Sequence, residues 1–383
     1  MTACGNPASS GPAKAPGQSS SPAPTATPTA VPTSTPSCPD HVFAAMTEDQ
    51  RIGQLFLMGL ANDQLGAAEL TEIQADHVGS VWFVDRTYAG VAGVRAVASA
   101  VQTQASGPAT AGVRFFVAAN QEGGIIQALQ GPGFSTIPSA LTQGTWSTAL
   151  LQTQATAWGQ QLAAAGVNLN FAPVMDVVPP GYDGQNQPIG ALQREYGHDP
   201  GTVAAHGSAF IAGMHAAGVA VTLKHFPGLG RVTGNTDYVA ATDTQTIADD
   251  PYLQSFKAGI TAGSDNVMVA IATFTRIDAN RIAAFSPAVI GQMLRSQLGF
   301  QGVVMSDDLG ATAAVASIPA GTRAIDFLSA GGDFVVSKTA SATHAMVLAV
   351  RATAAGNTAF RAAVENAALR IVREKQAFGL LPC

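Results

Sequence analysis

A single α/β domain closed into a TIM-like (β/α)8 barrel, preceded by a disordered N-terminal linker, is the fold this sequence predicts. Three observations carry it. Short runs of small, β-branched and aromatic residues alternate with helical patterns about eight times in some 340 residues, as parallel strands joined by crossover helices require. Polar residues recur at the C-terminal ends of the runs, where a barrel builds its site. No Gly-x-Gly-x-x-Gly follows an early strand and no phosphate-binding loop is evident, which argues against an open nucleotide-binding sheet.

Thr47-Glu48-Asp49-Gln50 has the pattern of a capping box and opens a helix that leads into the apolar Leu55-Phe56-Leu57-Met58. Strands are expected at Val78–Val84, Val113–Ala119, Val167–Asp176, Gly218–Leu223, Asn266–Thr273 and Gly302–Asp308. Helical patterns cover Val91–Gln104, Trp146–Ala165, Val203–Ala217, Leu253–Ala262 and Pro287–Leu298. Arg323–Ala330, Asp333–Ser337 and two helices, Ala342–Ala354 and Phe360–Phe378, complete the domain, which spans residues 38–383.

Composition narrows the function. Of 383 residues, 47% are hydrophobic and only 11% charged, so Ala, Gly, Ser, Thr and Gln must cover many helix faces. A net charge of -6 without a basic cluster argues against a nucleic-acid surface. No uninterrupted apolar run is long enough to span a membrane. Residues 1–37 are rich in Pro, Ser, Thr and Ala, which cannot bury a core and should remain disordered.

Met1-Thr2-Ala3-Cys4-Gly5 resembles the end of a bacterial lipoprotein signal, so Cys4 is the expected lipidation site and the protein is expected outside the cytoplasm, held to the cell membrane only through that anchor. An extended linker of this length reaches roughly 100 Å. Cys38 and Cys383 are the other two cysteines, and in an oxidising compartment they are expected to pair.

Gly218-Val219-Ala220-Val221-Thr222-Leu223 runs into Lys224-His225-Phe226-Pro227-Gly228, a buried strand that ends in a cation, an imidazole and a Gly/Pro loop. With Gln121-Glu122-Gly123-Gly124, Phe171-Ala172-Pro173-Val174-Met175-Asp176 and Val304-Met305-Ser306-Asp307-Asp308 in order around it, the chain resembles glycoside hydrolase family 3, in its single-domain bacterial β-N-acetylglucosaminidase branch. The resemblance runs from about Ala44 to Leu381. It implies a retaining mechanism acting at the non-reducing end of a β-linked sugar, with no cofactor.

A retaining glycosidase needs one ionised carboxylate to attack the anomeric carbon and one group to protonate the leaving oxygen. Asp307, at a strand end, is the nucleophile the resemblance implies; Asp308 beside it is a further acceptor or a helix N-cap. Lys224 and His225 match sugar-binding positions, Arg194 matches an arginine that reaches the sugar unless it is spent on Glu195, and Asp176 matches a supporting aspartate.

Two positions depart from the family pattern. Where the branch places Asp-x-His after its Lys-His-Phe-Pro-Gly, this chain has Asn235-Thr236-Asp237, so Asp237 is the candidate acid/base and Asn235 its candidate orienting partner. Asn120 replaces an aspartate that accepts hydrogen bonds from sugar hydroxyls, exchanging an ionic acceptor for a weaker neutral one. Leu229 stands where a histidine is frequent. No Cys or His cluster has metal-ligand spacing, so no metal is expected.

The expected substrate is an amino sugar or muropeptide-like fragment derived from the cell wall, and the expected state is a monomer. Two alternatives stay open: a catalytically degenerate, membrane-tethered sugar-binding lipoprotein, and a hydrolase of altered sugar specificity.

Overall fold

The computed structural model describes residues 37–383 and the isolated residues 11, 13, 15 and 17. Cys4, where lipidation is expected, and almost all of the linker lie outside the described residues. Ser37–Cys383 forms one compact unit.

Eight parallel strands make the barrel: β1 (Phe56–Leu60), β2 (Ser80–Phe83), β3 (Phe116–Ala119), β4 (Leu169–Asn170), β5 (Ala220–Phe226), β6 (Asn266–Val269), β7 (Val303–Ser306) and β8 (Val335–Ser337). Each pairs with its sequence neighbour. β8 returns to β1 with Phe56 opposite Val335, and a Met305–Phe334 bridge joins β7 to β8, so the sheet closes. Closure explains the strand composition. Both faces are covered, by helices outside and packed side chains inside, so strands such as Phe-Leu-Met-Gly-Leu are buried at every position rather than alternating.

The first and fourth strands show how closely the sequence reading and the structure agree. The apolar stretch that the first capped helix leads into is β1: Glu48–Gln54 stops at Leu55 and the next five residues enter the ladder. The capping box itself forms: Thr47 Oγ1 accepts from the Gln50 amide at 3.1 Å, and Gln50 Oε1 accepts from the Thr47 amide at 3.0 Å. The strand expected over Val167–Asp176 keeps regular pairing only at Leu169–Asn170. Beyond it Pro173 has no N–H to donate, and the chain holds to β5 through isolated bonds such as Met175 N to the Lys224 carbonyl at 2.7 Å. That irregular exit turns Asp176 toward the barrel mouth.

Among the described residues, no helix is long and apolar enough to cross a membrane. Cys38, which opens the first helix (Cys38–Ala45), is disulfide-bonded to Cys383 across a sequence separation of 345 residues. Beside the bridge Val42, Met46, Val113 and Val372 form a small cluster of their own. A Cys38→Ser variant is expected to lose about 2–5 kcal/mol of stability, the range for removal of a long-loop crosslink. Chemical unfolding of oxidised wild type against the variant measures it.

Candidate active site

All the candidate side chains gather at the C-terminal mouth of the barrel, around a cleft of about 340 Å³. This is the small end of the range for ligand clefts and suits one sugar ring better than a long chain. Trp82 and Phe171 are among its lining residues, ring edge to ring face with centroids 5.7 Å apart. Asn120, Arg194, Lys224, His225, Asn235, Asp237, Asp307 and Asp308 all line it; Asp176 lies behind the wall.

Two of the lining residues, Arg194 and Lys224, belong to an ion cluster centred on Glu122. Arg194 grips it with two parallel bonds, Nε to Oε2 at 2.9 Å and Nη2 to Oε1 at 2.8 Å, and Lys224 Nζ pairs with the same Oε1. Lys224 also donates to Asn120 Oδ1 at 2.8 Å, which is where the neutral amide at this position is used. Arg194 is therefore paired with Glu122 and not with its sequence neighbour Glu195. Gln193, at φ 56°, occupies the left-handed region just before it, a conformation costly for a side-chain-bearing residue that aims the following side chain into the mouth.

Burial sets the electrostatics here. Glu122 would be pushed up by loss of water, but Arg194 and Lys224 overcome this and hold its pKa at about 2. Burial opposes the charge on Arg194 as well, and Glu122 outweighs it, raising the guanidinium further. Lys224 ends below the usual lysine range because its burial and the Arg194 charge exceed the pull of Glu122.

The sign for stability follows from the depressed carboxyl pKa. The Glu122 contribution is fully present above the ordinary glutamate value of 4.5 and is lost as pH falls toward about 2. Glu122→Gln, which strands two buried cations, is expected to cost about 3–5 kcal/mol at neutral pH. It should also flatten the acid limb of stability, read as urea midpoints from pH 2 to 7.

His225 is fixed from behind. Asp176, fully buried, accepts the His225 Nδ1 proton at 2.7 Å, the His225 amide at 3.1 Å and the Leu229 amide at 2.8 Å. One carboxylate thus sets the ring tautomer and pins both ends of the turn, leaving Nε2 toward the cleft, 3.4 Å from Arg194 Nη2. Leu229 contributes its backbone to this anchor and buries its side chain. Gly230 is required for the close approach of the loop, since a Cβ there would collide with the Val177 carbonyl. Asp176→Ala is expected to release the imidazole and raise KM more than it lowers kcat, measured by steady-state kinetics on an aryl glycoside.

Asn186, which the sequence reading did not single out, ties the loop after β4 to the loop after β5. Its Nδ2 donates to the Leu229 and Val232 carbonyls, both at 2.7 Å, while Oδ1 accepts from the Ile189 and Gly190 amides. No local pattern marks an isolated Asn in a polar loop. Lys338, after β8, is another unpredicted residue of the cleft wall.

The two candidate reacting carboxylates come from different strands. Asp307 follows β7, its amide bonded to the Val269 carbonyl at 3.1 Å, and its Oδ1 accepts the Asp308 amide at 2.8 Å. Asp308 is not a helix cap: it is buried and accepts from Gly310 at 2.7 Å, Ala311 at 3.1 Å and Lys338 at 2.8 Å, fixing the turn that presents Asp307. Burial and the neighbouring Asp307 charge lift Asp308 to about 6, against those three amides.

Asp237 is carried by the loop after β5, which is tied to the loop after β7 by Ala313 N to the Asp237 carbonyl and Ala314 N to the Thr236 carbonyl, each at 3.2 Å. That pair of backbone bonds puts Asp237 and Asp307 on one cleft. Asp237 is open to solvent on the cleft side, yet its carboxyl is raised above the usual range, by desolvation first and by the Asp307 charge second, with Arg194 and His225 opposing. Asn235 does not orient this carboxyl; its Oδ1 accepts the Asp237 backbone amide at 3.0 Å, shaping the turn instead.

A carboxyl raised above its ordinary range beside a second carboxylate, both lining a sugar-sized cleft on a barrel mouth, is the arrangement a glycoside hydrolase uses. Comparison with known proteins places it more narrowly. Residues 47–373 match the N-terminal domain of glycosyl hydrolase family 3, and the chain belongs to that family.

A β-N-acetylhexosaminidase crystal structure from Beutenbergia cavernae DSM 12333 is 46% identical, covering 86% of this chain and 99% of that one with a TM-score of 0.84. A β-hexosaminidase of Stenotrophomonas maltophilia (strain R551-3) is 35% identical over 293 residues, 74% of this chain and 82% of the relative. A family 3 β-N-acetylglucosaminidase from Paenibacillus sp. str. FPU-7 is 27% identical, covering 88% of this chain and 63% of that one, with a TM-score of 0.79.

Proposed function

We infer that the protein is a retaining exo-glycosidase that releases terminal β-linked N-acetylglucosamine from cell-wall-derived sugars. The observation carrying this reading is that Asp307 and Asp237 line one cleft together with Arg194 and Lys224, the two cations paired with Glu122. In the first step the Asp307 carboxylate forms a bond to the anomeric carbon as the glycosidic bond breaks, and Asp237 gives its proton to the departing oxygen. In the second, Asp237 takes a proton from water, the water oxygen bonds to the anomeric carbon, and the Asp307 ester is released.

Arg194, Lys224, Asn120 and His225 hold the sugar hydroxyls and the acetamido carbonyl. The similarity of the chain to β-hexosaminidases supports the choice of amino sugar. The lipoprotein-like Cys4 and the pairing of Cys38 with Cys383 support a place outside the cytoplasm, tethered to the membrane. Wild-type protein is expected to hydrolyse an aryl β-N-acetylglucosaminide faster than the matching β-glucoside and β-xyloside. Saturable binding of N-acetylglucosamine without turnover of any of the three would overturn hydrolysis and leave a sugar-binding protein.

A further inference from the structure

The loop that carries Arg194 holds a second group of acidic and imidazole side chains that the chemistry above does not use. One oxygen of Asp183, one of Glu195 and one ring nitrogen of His198 lie within 4.8 Å of one another. Glu195 is fully buried, yet neither of its oxygens accepts a hydrogen bond of normal geometry, and Asp183 Oδ1 also lacks a partner. Buried carboxylate oxygens left unpaired are costly and uncommon.

The peptide N–H groups of Arg194 and Glu195 favour the charged carboxylate from outside bonding geometry, while burial and the charges of Asp183 and Asp176 push it the other way. No cationic side chain is paired with Glu195 among the described residues. Its sequence neighbour Arg194 faces away, onto Glu122. His198 Nδ1 stands 3.3 Å from the Val178 carbonyl and 3.5 Å from Asp183 Oδ1. The side chains of His198 and Asp183 remain 33% and 40% exposed, so the buried carboxylate has a solvent-facing rim through which an ion can enter.

We propose that Asp183, Glu195 and His198 form a binding site for a first-row divalent cation of the Zn²⁺ or Mn²⁺ kind. Two carboxylate oxygens and one imidazole nitrogen are the donor set such ions take, with water filling the open positions. Tetrahedral ligands at about 2.0–2.2 Å from an ion sit roughly 3.3–3.6 Å apart. The group therefore has to contract by about 1 Å at most, which the two half-exposed side chains can supply by rotation. A bound ion supplies the positive charge that Glu195 lacks. It also crosslinks the tip of the 178–199 loop, at Asp183, to the residues immediately after Arg194. Loss of the ion should loosen the arginine without removing any group that touches sugar.

The second such group among the described residues, Glu72, Asp76 and His344, also has an unpaired buried oxygen, on Glu72, but differs in holding a cationic side chain, Arg351, which donates to Asp76 at 2.8 Å. It serves as the internal control.

The test is titration of metal-stripped, full-length protein with ZnCl₂, and separately with MnCl₂, by calorimetry, with thermal midpoint and hydrogen exchange of the 183–199 peptide read alongside. The expected result is one ion per chain, a raised midpoint and slowed exchange of that peptide. Glu195→Gln and His198→Ala should each weaken affinity more than about tenfold, since removing a ligand costs at least as much as removing the group behind one. His198→Ala, at a half-exposed position, keeps the test valid if Glu195→Gln does not fold. His344→Ala should leave binding unchanged. Absence of saturable uptake of either ion by wild type overturns the proposal, as does binding that survives His198→Ala or disappears in His344→Ala. Sugar hydrolysis plays no part in these readouts, so failure here leaves the hydrolase reading intact.

Discussion

Asp307→Asn is expected to reduce turnover of an aryl β-N-acetylglucosaminide by roughly 10⁴- to 10⁶-fold, the scale on which enzymes lose rate when a nucleophile is removed. The substitution is isosteric and its neighbours are prepared for it. The Asp307 amide keeps its bond to Val269, Asp308 keeps its three amide donors, and an amide oxygen can still accept from the Asp308 N–H. Stability should therefore change little while the covalent step disappears. Equal thermal midpoints with residual activity near the buffer rate are the expected pair of readings. Substantial turnover by a pure Asp307→Asn preparation would assign the attack to another group.

The second large effect is expected at Asp237. Asp237→Asn should lower kcat/KM by roughly 10² to 10⁴ on substrates with a poorly leaving alkoxide, the usual contribution of a positioned acid. It should lower it much less on dinitrophenyl glycosides, whose leaving oxygen needs no proton. The pH dependence has a definite sign. In the proposed mechanism Asp237 carries its proton in the first step, and desolvation together with Asp307 raises its pKa, so the protonated form persists further toward neutrality than for an ordinary aspartate. As pH rises through that pKa the proton is lost and kcat/KM falls. Wild type should show this alkaline limb, and Asp237→Asn should lack it. A limb unchanged in the variant would mean that another group supplies the proton.

The barrel was legible because its signal repeats. Each buried run followed by a helical pattern adds the same information, and a shortened unit such as β4 does little harm when the other seven close the ring. The site was legible only in part. Residues projecting from strand ends, such as Lys224, His225 and Asp307, keep the direction their strand gives them, so their convergence follows from the fold.

Loop residues do not share that constraint. Arg194 lies next to Glu195 in sequence, yet the left-handed Gln193 before it helps turn the guanidinium to Glu122, 72 residues away. Asn235 lies two residues from Asp237 and bonds its backbone rather than its carboxyl. Asn186 and Glu122 carry much of the architecture through long-range bonds that no spacing rule encodes. Glu122 was visible in Gln121-Glu122-Gly123-Gly124, but its role as shared counterion depends on two cations brought from other strands and loops.

The Cys38–Cys383 bridge has a mechanical consequence. Tension applied to the chain ahead of Cys38 would, without the bridge, peel Cys38–Ala45 away from the barrel, one weak contact at a time. With the bridge in place the load passes through a covalent link to the chain beyond the last helix, Thr358–Ala377, which packs against the first. A pull on one end becomes a shear across two helices, many contacts must then yield together, and the barrel mouth at the opposite end of the strands is isolated from the strain.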